Sequence, residues 1–297
     1  MNMISVKQCG REDFPQSAMV ACQGVKGAFS QVASNILFEE PNIMFMRTFD
    51  GVFRAVDSGL CTYGILPIEN SNAGSVTDVY DLMREYHFYV VRSIKISIPH
   101  MLLANELVGL DEISEIFTHE QAARQCSKFI EKHHGIKLTM CENTAVAAQM
   151  VAESGRSDIA AIASENCIDL YNLVALEKNI ENSANNYTRF ICISKECEIY
   201  GEPDRISLML STEHKAGALN EVMQKFADRG LNLVKLESRP IPGSDFEFMF
   251  YFDVEANIND RAVHDLLLEL EKESKFFAFL GNYNEVVCTS ESIPYKP

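Results

Sequence analysis

The chain has 297 residues, of which 47% are hydrophobic and 23% charged, so it can bury a sizeable core in two domains and is not disordered. Its formal net charge of −16 and the absence of a basic stripe argue against nucleic acid and anionic membrane as partners. No apolar run reaches membrane-spanning length, no signal peptide is evident, and the nine cysteines are scattered, mostly within apolar runs. We therefore expect a cytoplasmic protein with reduced thiols and without a metal or cofactor.

Short apolar segments alternate with segments of helical periodicity through the first two thirds of the chain. The sequence predicts strands over 19–22, 42–49, 63–68, 88–103, 116–117, 137–141, 159–163 and 190–194. It predicts helices over 27–38, 51–59, 75–86, 120–133, 144–154 and 165–170. This alternation is typical of α/β layers with largely parallel strands.

A polar stretch over 195–205, "KECEIYGEPDR", reads as a linker to a second unit. Beyond it the sequence predicts strands over 206–211, 231–240, 246–255 and 276–287. It predicts helices over 217–228 and 261–271. The resulting order is βαββαβ, a ferredoxin-like arrangement.

Four predicted strands are each followed by a small or hydroxyl-rich helix start. These starts read "QGVKGAFS", "ENSNAGSV", "THEQAA" and "ENTAVAA". Each one alone is an ordinary N-cap. Because strand C-termini and helix N-termini share one edge of a parallel sheet, the four together indicate a cleft that binds a small anion. This pattern does not separate an enzyme from a solute-binding protein.

Seven motifs together carry a family resemblance that covers about residues 18–283. Five of them occur in the order and spacing of prephenate dehydratases, namely "QGVKGAFS" (23–30), "LPIENSNAGSV" (66–76), "THEQAARQC" (118–126), "ENTAVAA" (142–148) and "NNYTRF" (185–190). Two more, "GALNEV" (217–222) and "LNLVKLESRP" (231–240), resemble the phenylalanine-binding ACT domain that follows in that family. The chain departs from the usual Ser-His-Pro-Gln motif, since it has Thr118-His119-Glu120-Gln121.

The resemblance implies an α/β fold with a two-lobed, periplasmic-binding-protein-like catalytic domain over 1–200. Lobe one would comprise about 18–98 plus 183–198, and lobe two about 99–182, with the active site in the cleft between them. A ferredoxin-like βαββαβ ACT regulatory domain would follow over 201–297. No chorismate mutase segment precedes the first motif, which implies the monofunctional type, and a homodimer or tetramer is expected.

The same resemblance implies decarboxylating dehydration of prephenate to phenylpyruvate, CO2 and water in phenylalanine biosynthesis, with L-phenylalanine as a feedback inhibitor. Thr188 is predicted to aim a hydrogen bond at the leaving hydroxyl. Glu69, at the end of a predicted strand, is the rival acid. The expected substrate-binding residues are Ser30, Asn70, Ser71, Thr118, Gln121, Gln125, Thr144 and Arg189.

Two residues near these motifs are predicted to have structural roles. Arg189 alternates with Thr188 along a strand, so its side chain should point to the opposite face and form an ion pair more readily than bind substrate. His100 follows Pro99 in a buried β run and is predicted to be a core or hinge residue with satisfied hydrogen bonds.

For the regulatory unit, the resemblance implies a phenylalanine site at an ACT–ACT dimer interface, where the Gly217-Ala218-Leu219 turn of one chain meets Asn232 and the ESRP strand of a partner. The expected effector-binding residues are Gly217, Ala218, Leu219, Asn232, Glu237, Ser238, Arg239 and Pro240. The alternative interpretation of 231–240 is an edge strand with charged gatekeepers and a proline stop.

Two other functions remain open at this stage. Arogenate dehydratases share the motifs and act on the transaminated substrate. A non-catalytic amino-acid sensor would combine a solute-binding cleft with an ACT module. The presence of Thr188 together with Glu69 and Asn70 favours an enzyme, because a sensor does not need that combination.

Overall fold

The computed structural model describes residues 13–183, 185–244 and 247–288, over which strands and helices alternate. The strands are β1 (Ser17–Gln23), β2 (Glu40–Met46), β3 (Tyr63–Asn70), β4 (Gly74–Ser75), β5 (Tyr89–Ser97), β6 (Met101–Ala104), β7 (Glu115–Thr118), β8 (Lys137–Met140), β9 (Ile159–Ala163), β10 (Val174–Lys178), β11 (Tyr187–Ser194), β12 (Arg205–Ser211), β13 (Asn232–Pro240), β14 (Phe248–Glu255), β15 (Phe276–Tyr283) and β16 (Glu285–Cys288). The α-helices are α1 (Phe29–Leu37), α2 (Phe49–Asp57), α3 (Thr77–Tyr86), α4 (Glu120–Gln125), α5 (Ser127–Lys132), α6 (Thr144–Ser154), α7 (Asn166–Tyr171), α8 (Ala218–Asp228) and α9 (Arg261–Glu273). Phe246, where the sequence places the start of β14, lies outside the described residues.

The strands form three sheets. The first lobe contains a seven-stranded sheet in the order β16-β5-β11-β3-β1-β2, with the short β4 paired to β3. The second lobe contains a five-stranded sheet in the order β10-β6-β9-β7-β8. The third sheet, in the order β13-β14-β12-β15, belongs to a four-stranded unit with the predicted βαββαβ order. Within the described ranges, no helix combines the length and the apolar character that crossing a bilayer requires.

The prediction of largely parallel strands is wrong, because both lobes contain mixed sheets. Parallel pairs join β1 to β2 and β3, and β7 to β8 and β9. Strand β11, however, runs antiparallel to both β3 and β5, and β6 runs antiparallel to both β9 and β10. The cause is the path of the chain, which leaves the first lobe after β5 and returns to it as β11.

The predicted strand over 88–103 is therefore two strands in different sheets, β5 and β6. The two connections between the lobes lie side by side where the chain crosses. There the backbone N–H of Ile98 donates to the carbonyl of Asn186 over 2.7 Å, and the N–H of Ile180 donates to the carbonyl of His100 over 3.0 Å. These bonds satisfy backbone groups at a point where neither sheet continues.

Three further elements differ from the sequence-based prediction. The predicted helix over 120–133 breaks at Cys126, where Asn182 donates to the carbonyl of Arg124 and accepts from the N–H of Lys128. Edge strand β10 was not predicted. The predicted strand over 276–287 ends at Tyr283, and the following β16 pairs in parallel with β5 of the first lobe.

The four-stranded sheet is covered on both faces. Helices α8 and α9 pack on one face, around Phe226, Phe252 and Leu266. The other face packs against the first lobe, where Tyr251 and Tyr283 share a core with residues of β3, α2 and α3. The hydroxyl of Tyr251 donates to the carbonyl of Tyr80 over 2.7 Å. Apolar burial thus joins the four-stranded unit to the first lobe.

Strand β15 approaches β5 closely at Gly281. Its φ is +140°, and a Cβ atom added there would lie 2.1 Å from the carbonyl oxygen of Val90. A side chain at this position therefore has to push the two sheets apart.

We expect Gly281→Ala to lower the free energy of unfolding by about 3 kcal/mol, because a methyl group forced against backbone strains both sheets. The measurement is urea unfolding followed by circular dichroism. Gly230→Ala is the matched control, since Gly230 also has positive φ (+67°) but nothing lies within 4 Å of its added Cβ. The control should lose only about 1 kcal/mol through backbone strain. Equal losses in the two variants would contradict a steric origin.

Candidate active site

The side-chain amide of Asn70 is the centre of a buried polar cluster at the end of β3. The backbone N–H groups of Asn72 and Ala73 donate to its Oδ1 over 3.0 and 2.9 Å. These two bonds fix the orientation of the amide, so its Nδ2 faces β11. There it donates to Thr188 Oγ1 over 2.9 Å and to Asn186 Oδ1 over 3.1 Å.

Thr188 stands directly opposite Asn70 in the antiparallel register of β3 and β11. Its Oγ1 accepts from Asn70, and its side chain is only partly buried. A threonine hydroxyl that accepts one hydrogen bond keeps its own proton to donate. Thr188 can therefore donate a hydrogen bond while Asn70 holds its oxygen in place.

The second lobe contributes Gln125, from the end of α4, to this cluster. Its Nε2 donates to Asn70 Oδ1 over 3.2 Å and to Asn186 Oδ1 over 3.1 Å. Its Oε1 accepts from Asn186 Nδ2 over 3.2 Å and lies 2.9 Å from His100 Nε2. We call Asn70, Gln125 and Asn186 the amide cluster, because these three side chains join the lobes through neutral hydrogen bonds.

Sequence reasoning did not include Asn186 and His100 among the site residues. Asn186 is 1% exposed, and its Nδ2 also donates to the carbonyl of Ile98 over 3.0 Å. The available signal was the pair Asn185-Asn186 just before Thr188, at the predicted crossing between the lobes. The role of Asn186 becomes evident only from the structure, in which its segment lies beside the connection that contains Ile98.

Three hydroxyl groups predicted to bind substrate are bonded to backbone in the structure. Ser30 donates to the carbonyl of Gln23 over 2.6 Å, and the fully buried Thr118 donates to that of Ile162 over 3.4 Å. Ser71 donates to the carbonyl of Asn185 over 2.9 Å and accepts from the N–H of Tyr187 over 3.0 Å. Ser71 thus ties β11 to the turn after β3.

Gln121 and Thr144 lie in the first turns of α4 and α6, and both are partly exposed. The caps of these helices come from the preceding residues. His119 Nδ1 accepts from the N–H of Gln121 over 3.3 Å, and Asn143 Oδ1 accepts from the N–H of Val146 over 2.9 Å. The side chains of Gln121 and Thr144 are therefore not needed as caps.

The glycine loop before α1 closes on the second lobe. A Cβ added at Gly27 would lie 2.9 Å from the Leu170 side chain, and the hydroxyl of Tyr171 donates to the carbonyl of Lys26 over 3.0 Å. The lobes therefore touch both at the amide cluster and at this loop.

Glu69 and Arg189 point away from Thr188, because successive side chains of β3 and β11 alternate between the two faces of the sheet. Lys235 of β13 holds the Glu69 carboxylate, with Nζ 2.7 Å from Oε1. Arg189 is 5% exposed and forms ion pairs with Asp253 and, over 2.6 Å, with Glu285. The structure thus brings Thr188 together with Asn70 and Gln125, but not with Glu69 or Arg189.

The charged side chains around Arg189 are mostly buried. Burial alone raises the pKa of Glu285, but Arg189 and Lys95 hold it below its usual value. The Arg189 guanidinium also donates to the hydroxyl of Tyr283 over 3.0 Å. A buried arginine with this many partners is typical of an interface between structural units.

Two residues predicted to bind the effector contact the first lobe within this chain. Glu237 accepts from the hydroxyl of Ser75, which also accepts from Lys235 over 2.7 Å. Arg239 forms a two-pronged ion pair with Asp81, with bonds of 2.6 and 3.2 Å. Their neighbours on β13, Ser238 and Pro240, are exposed, and Asn232 donates to Glu255 over 2.7 Å.

The start of α8 borders a cavity of about 300 Å³ in the four-stranded unit. Its lining includes Ala218 and Leu219, the loop over 212–216, and the aromatic rings of Phe248 and Phe250. Gly217, with φ +87°, caps the helix beside it. Ala218 and Leu219 thus line a cavity and Gly217 lies beside it, whereas the β13 residues, expected from a partner chain, stay a prediction.

The family model "Prephenate dehydratase" matches residues 20–198. The chain is 33% identical over 273 residues to a bifunctional chorismate mutase/prephenate dehydratase of Enterobacter agglomerans, covering 90% of this chain and 70% of that protein. It is 34% identical over 275 residues to a chloroplastic arogenate dehydratase/prephenate dehydratase of Arabidopsis thaliana, covering 89% and 72%.

Solved structures show the same relationship. A prephenate dehydratase from Arthrobacter aurescens in complex with L-Phe superposes with a TM-score of 0.79 at 26% identity, covering 90% of each chain. GqqA, described as a novel type of quorum-quenching acylase, superposes with a TM-score of 0.81 at 30% identity, covering 90% of this chain and 98% of its own. With a family model that matches more than half of its length, the chain belongs to the prephenate dehydratase family.

Proposed function

We propose that the chain catalyses the decarboxylating dehydration of prephenate to phenylpyruvate, CO2 and water, as a step of phenylalanine biosynthesis. The observation that carries this proposal is the Thr188 hydroxyl, whose oxygen accepts from an Asn70 amide that two backbone N–H groups hold in place. Membership of the family indicates the reaction, and the geometry around Thr188 supports its hydroxyl as a hydrogen-bond donor in that reaction.

The reaction needs a donor at one end of the substrate ring. The bond from the ring to its carboxylate breaks, its electron pair enters the ring, and the bond to the ring hydroxyl breaks at the opposite carbon. The oxygen departs as hydroxide and takes up a proton from solvent to give the water product. A hydrogen bond aimed at this oxygen stabilises the negative charge that develops on it. Thr188 supplies that bond, and the donor from Asn70 holds Oγ1 so that the threonine proton points outward.

A neutral site suits the other end of the ring. A salt bridge to the ring carboxylate would stabilise the substrate more than the transition state, in which that charge is being lost. The amide cluster and Thr188 carry no formal charge. This composition supports a decarboxylation that is assisted by hydrogen bonds.

Glu69 fits the role of proton donor poorly. Its carboxylate lies on the opposite face of β3 from Thr188 and is ion-paired with Lys235. Its neighbour in the chain is Asn70, so the ion pair with Lys235 supports the strand that carries the amide. We propose that Glu69 holds this strand in place and that Thr188 donates the hydrogen bond to the leaving group.

The environment of Thr188 does not support acyl transfer through this residue. Acyl transfer through a threonine requires a base to activate the hydroxyl. In the part of the chain that the structure describes, Thr188 Oγ1 hydrogen-bonds to Asn70, a neutral amide that donates to it. This environment supports a hydrogen-bond donor and not a nucleophile.

The proposed function predicts that the purified protein converts prephenate to phenylpyruvate. Prephenate and arogenate are incubated in parallel, and phenylpyruvate and phenylalanine are quantified by chromatography. We expect the higher kcat/KM with prephenate. A higher kcat/KM with arogenate would make the chain an arogenate dehydratase, and turnover of neither substrate would leave the non-catalytic sensor as the better hypothesis.

Replacement of Thr188 by Val should lower kcat about 100-fold, because an oriented donor to a developing negative charge contributes about 3 kcal/mol. Thr188→Ser keeps the hydroxyl and should retain activity within about 10-fold of the wild type. The measurement is initial-rate kinetics with prephenate, and thermal unfolding serves as the control for folding. An unchanged kcat in Thr188→Val would refute this role.

The rival role of Glu69 is tested with two variants in the same assay. If Glu69 only holds its strand through Lys235, then Glu69→Gln and Lys235→Met should lower kcat by similar factors, and the double variant should be no worse than either single one. A proton-donating Glu69 would instead make Glu69→Gln inactive while Lys235→Met retained most of its activity.

The four-stranded unit is proposed to be an ACT regulatory unit that binds L-phenylalanine and assembles the chain into a homodimer or tetramer. The Arthrobacter aurescens neighbour was solved with L-Phe, and the cavity at Ala218 and Leu219 offers apolar and aromatic walls for a phenyl ring. Ligand that prefers one arrangement of the unit would shift the active site through linkage. The free cysteines of the described ranges support a cytoplasmic location.

Phenylalanine at millimolar concentration should lower the rate of prephenate turnover, and Ala218→Met should abolish this inhibition because the longer side chain fills the cavity. Basal kcat/KM in that variant should stay within about 3-fold of the wild type, as expected for a small change in free energy. Ala227→Met, the same substitution at an exposed position of α8, is the control and should stay inhibited. Equal inhibition of both variants would place the effector elsewhere.

A further inference from the structure

His100 contacts the amide cluster without having a role in the proposed mechanism. It lies in the connection between β5 and β6 and is 2% exposed. Its backbone N–H donates to Glu181 Oε2 over 3.0 Å, and its carbonyl accepts from the N–H of Ile180 over 3.0 Å. Both connections between the lobes therefore fix where the imidazole lies. Its Nε2 is 2.9 Å from Gln125 Oε1.

The hydrogen bonds determine which nitrogen of His100 carries the proton. Asn70 Oδ1 accepts from two backbone N–H groups, so the end of the Gln125 amide that faces it is the donor Nε2. Gln125 Oε1 must then face His100. An amide oxygen only accepts, so His100 Nε2 carries hydrogen.

The other nitrogen supports the same assignment. His100 Nδ1 is buried and has no hydrogen-bond partner among the described residues. A second N–H there would be buried without an acceptor, which is costly. Burial lowers the pKa of His100, which keeps the ring neutral. The nearby Glu181 carboxylate acts in the opposite direction, but burial is the larger effect.

The N–H of His100 acts together with the Asn70 and Asn186 oxygens to exclude the wrong orientation of Gln125. If the amide rotated by half a turn, its oxygen would face Asn70 Oδ1 and Asn186 Oδ1 at 3.1–3.2 Å, with no hydrogen between them. Its NH2 group would meanwhile face the N–H of His100. Every contact of Gln125 would change from attraction to repulsion.

We propose that His100 is a positioning residue for the reaction: its Nε2–H orients the Gln125 amide, which holds the Asn70 and Asn186 amides and through them the Thr188 oxygen. The inference rests on the proposed function, since it assigns a task within the same site. His100 does not exchange a proton with the substrate in this role. His100 instead affects the position of the Thr188 hydroxyl, which it does not contact.

The test uses the different reach of two amide side chains. A glutamine at 100 can place an N–H where Nε2 lies, whereas an asparagine reaches only the position of Nδ1. We expect His100→Gln to keep kcat within about 3-fold, and His100→Asn and His100→Leu to lower it about 5- to 100-fold, the range for an unsatisfied buried polar group. Melting temperatures of the three variants separate this effect from loss of folding.

A double variant distinguishes positioning from a general structural role. In a Gln125→Met background, His100→Asn should have no further effect on kcat, because the group that His100 orients is gone. Equal kcat values for His100→Gln and His100→Asn, or additive effects with Gln125→Met, would overturn the inference. Wild-type turnover in the same assay shows that such a result leaves the proposed function intact.

A measurement without substrate tests the proposal even if the protein turns over neither prephenate nor arogenate. Imidazole 15N–1H correlation spectra of the wild-type protein, assigned by comparison with His100→Gln, should show the neutral ring with hydrogen on Nε2. Hydrogen on Nδ1 would contradict the proposal even if the protein turned over neither prephenate nor arogenate.

Discussion

The carboxamide of Asn70 has only one possible orientation, because two backbone N–H groups of the following turn occupy its oxygen. The rest of the polar centre depends on this constraint. It places an N–H group against Thr188, directs the nitrogen of Gln125 towards the first lobe, and leaves Asn186 as the acceptor between them. A backbone turn thereby sets the direction of hydrogen bonds contributed by both lobes. Such preorganisation lowers the cost of arranging donors during the reaction.

Strands β3 and β11, which carry this polar centre on one face, form ion pairs from their other face. Glu69 precedes Asn70 on β3, and its side chain reaches Lys235 of the four-stranded unit. Arg189 follows Thr188 on β11, and its side chain reaches Asp253 of that unit and Glu285 next to it. The polar centre and the unit are therefore separated by the thickness of one sheet. A displacement of β13 would be transmitted to Asn70 through the ion pair between Lys235 and Glu69 and the peptide bond that joins Glu69 to Asn70.

The sequence named several residues that the structure places in the candidate site. The family resemblance implied two lobes and named Asn70, Gln125 and Thr188, which the structure brings together. Strand alternation predicted that Arg189 points away from Thr188. The partner of Glu69 could not be predicted, because Lys235 is 166 residues further along the chain. The same reason hid His100 and the strand β16, since each depends on segments that meet only after the lobes have formed.

Strand β16 gives the four-stranded unit a second attachment. The chain enters this unit after β11 and leaves it into β16, and both of these strands pair with β5. The unit is thus an insertion between two neighbours of a single strand, and not a body on a flexible tether. With both ends anchored, it can move by sliding over the sheet more easily than by swinging open. The proposed regulation would then work through displacements of about an ångström, the scale on which packed elements shear.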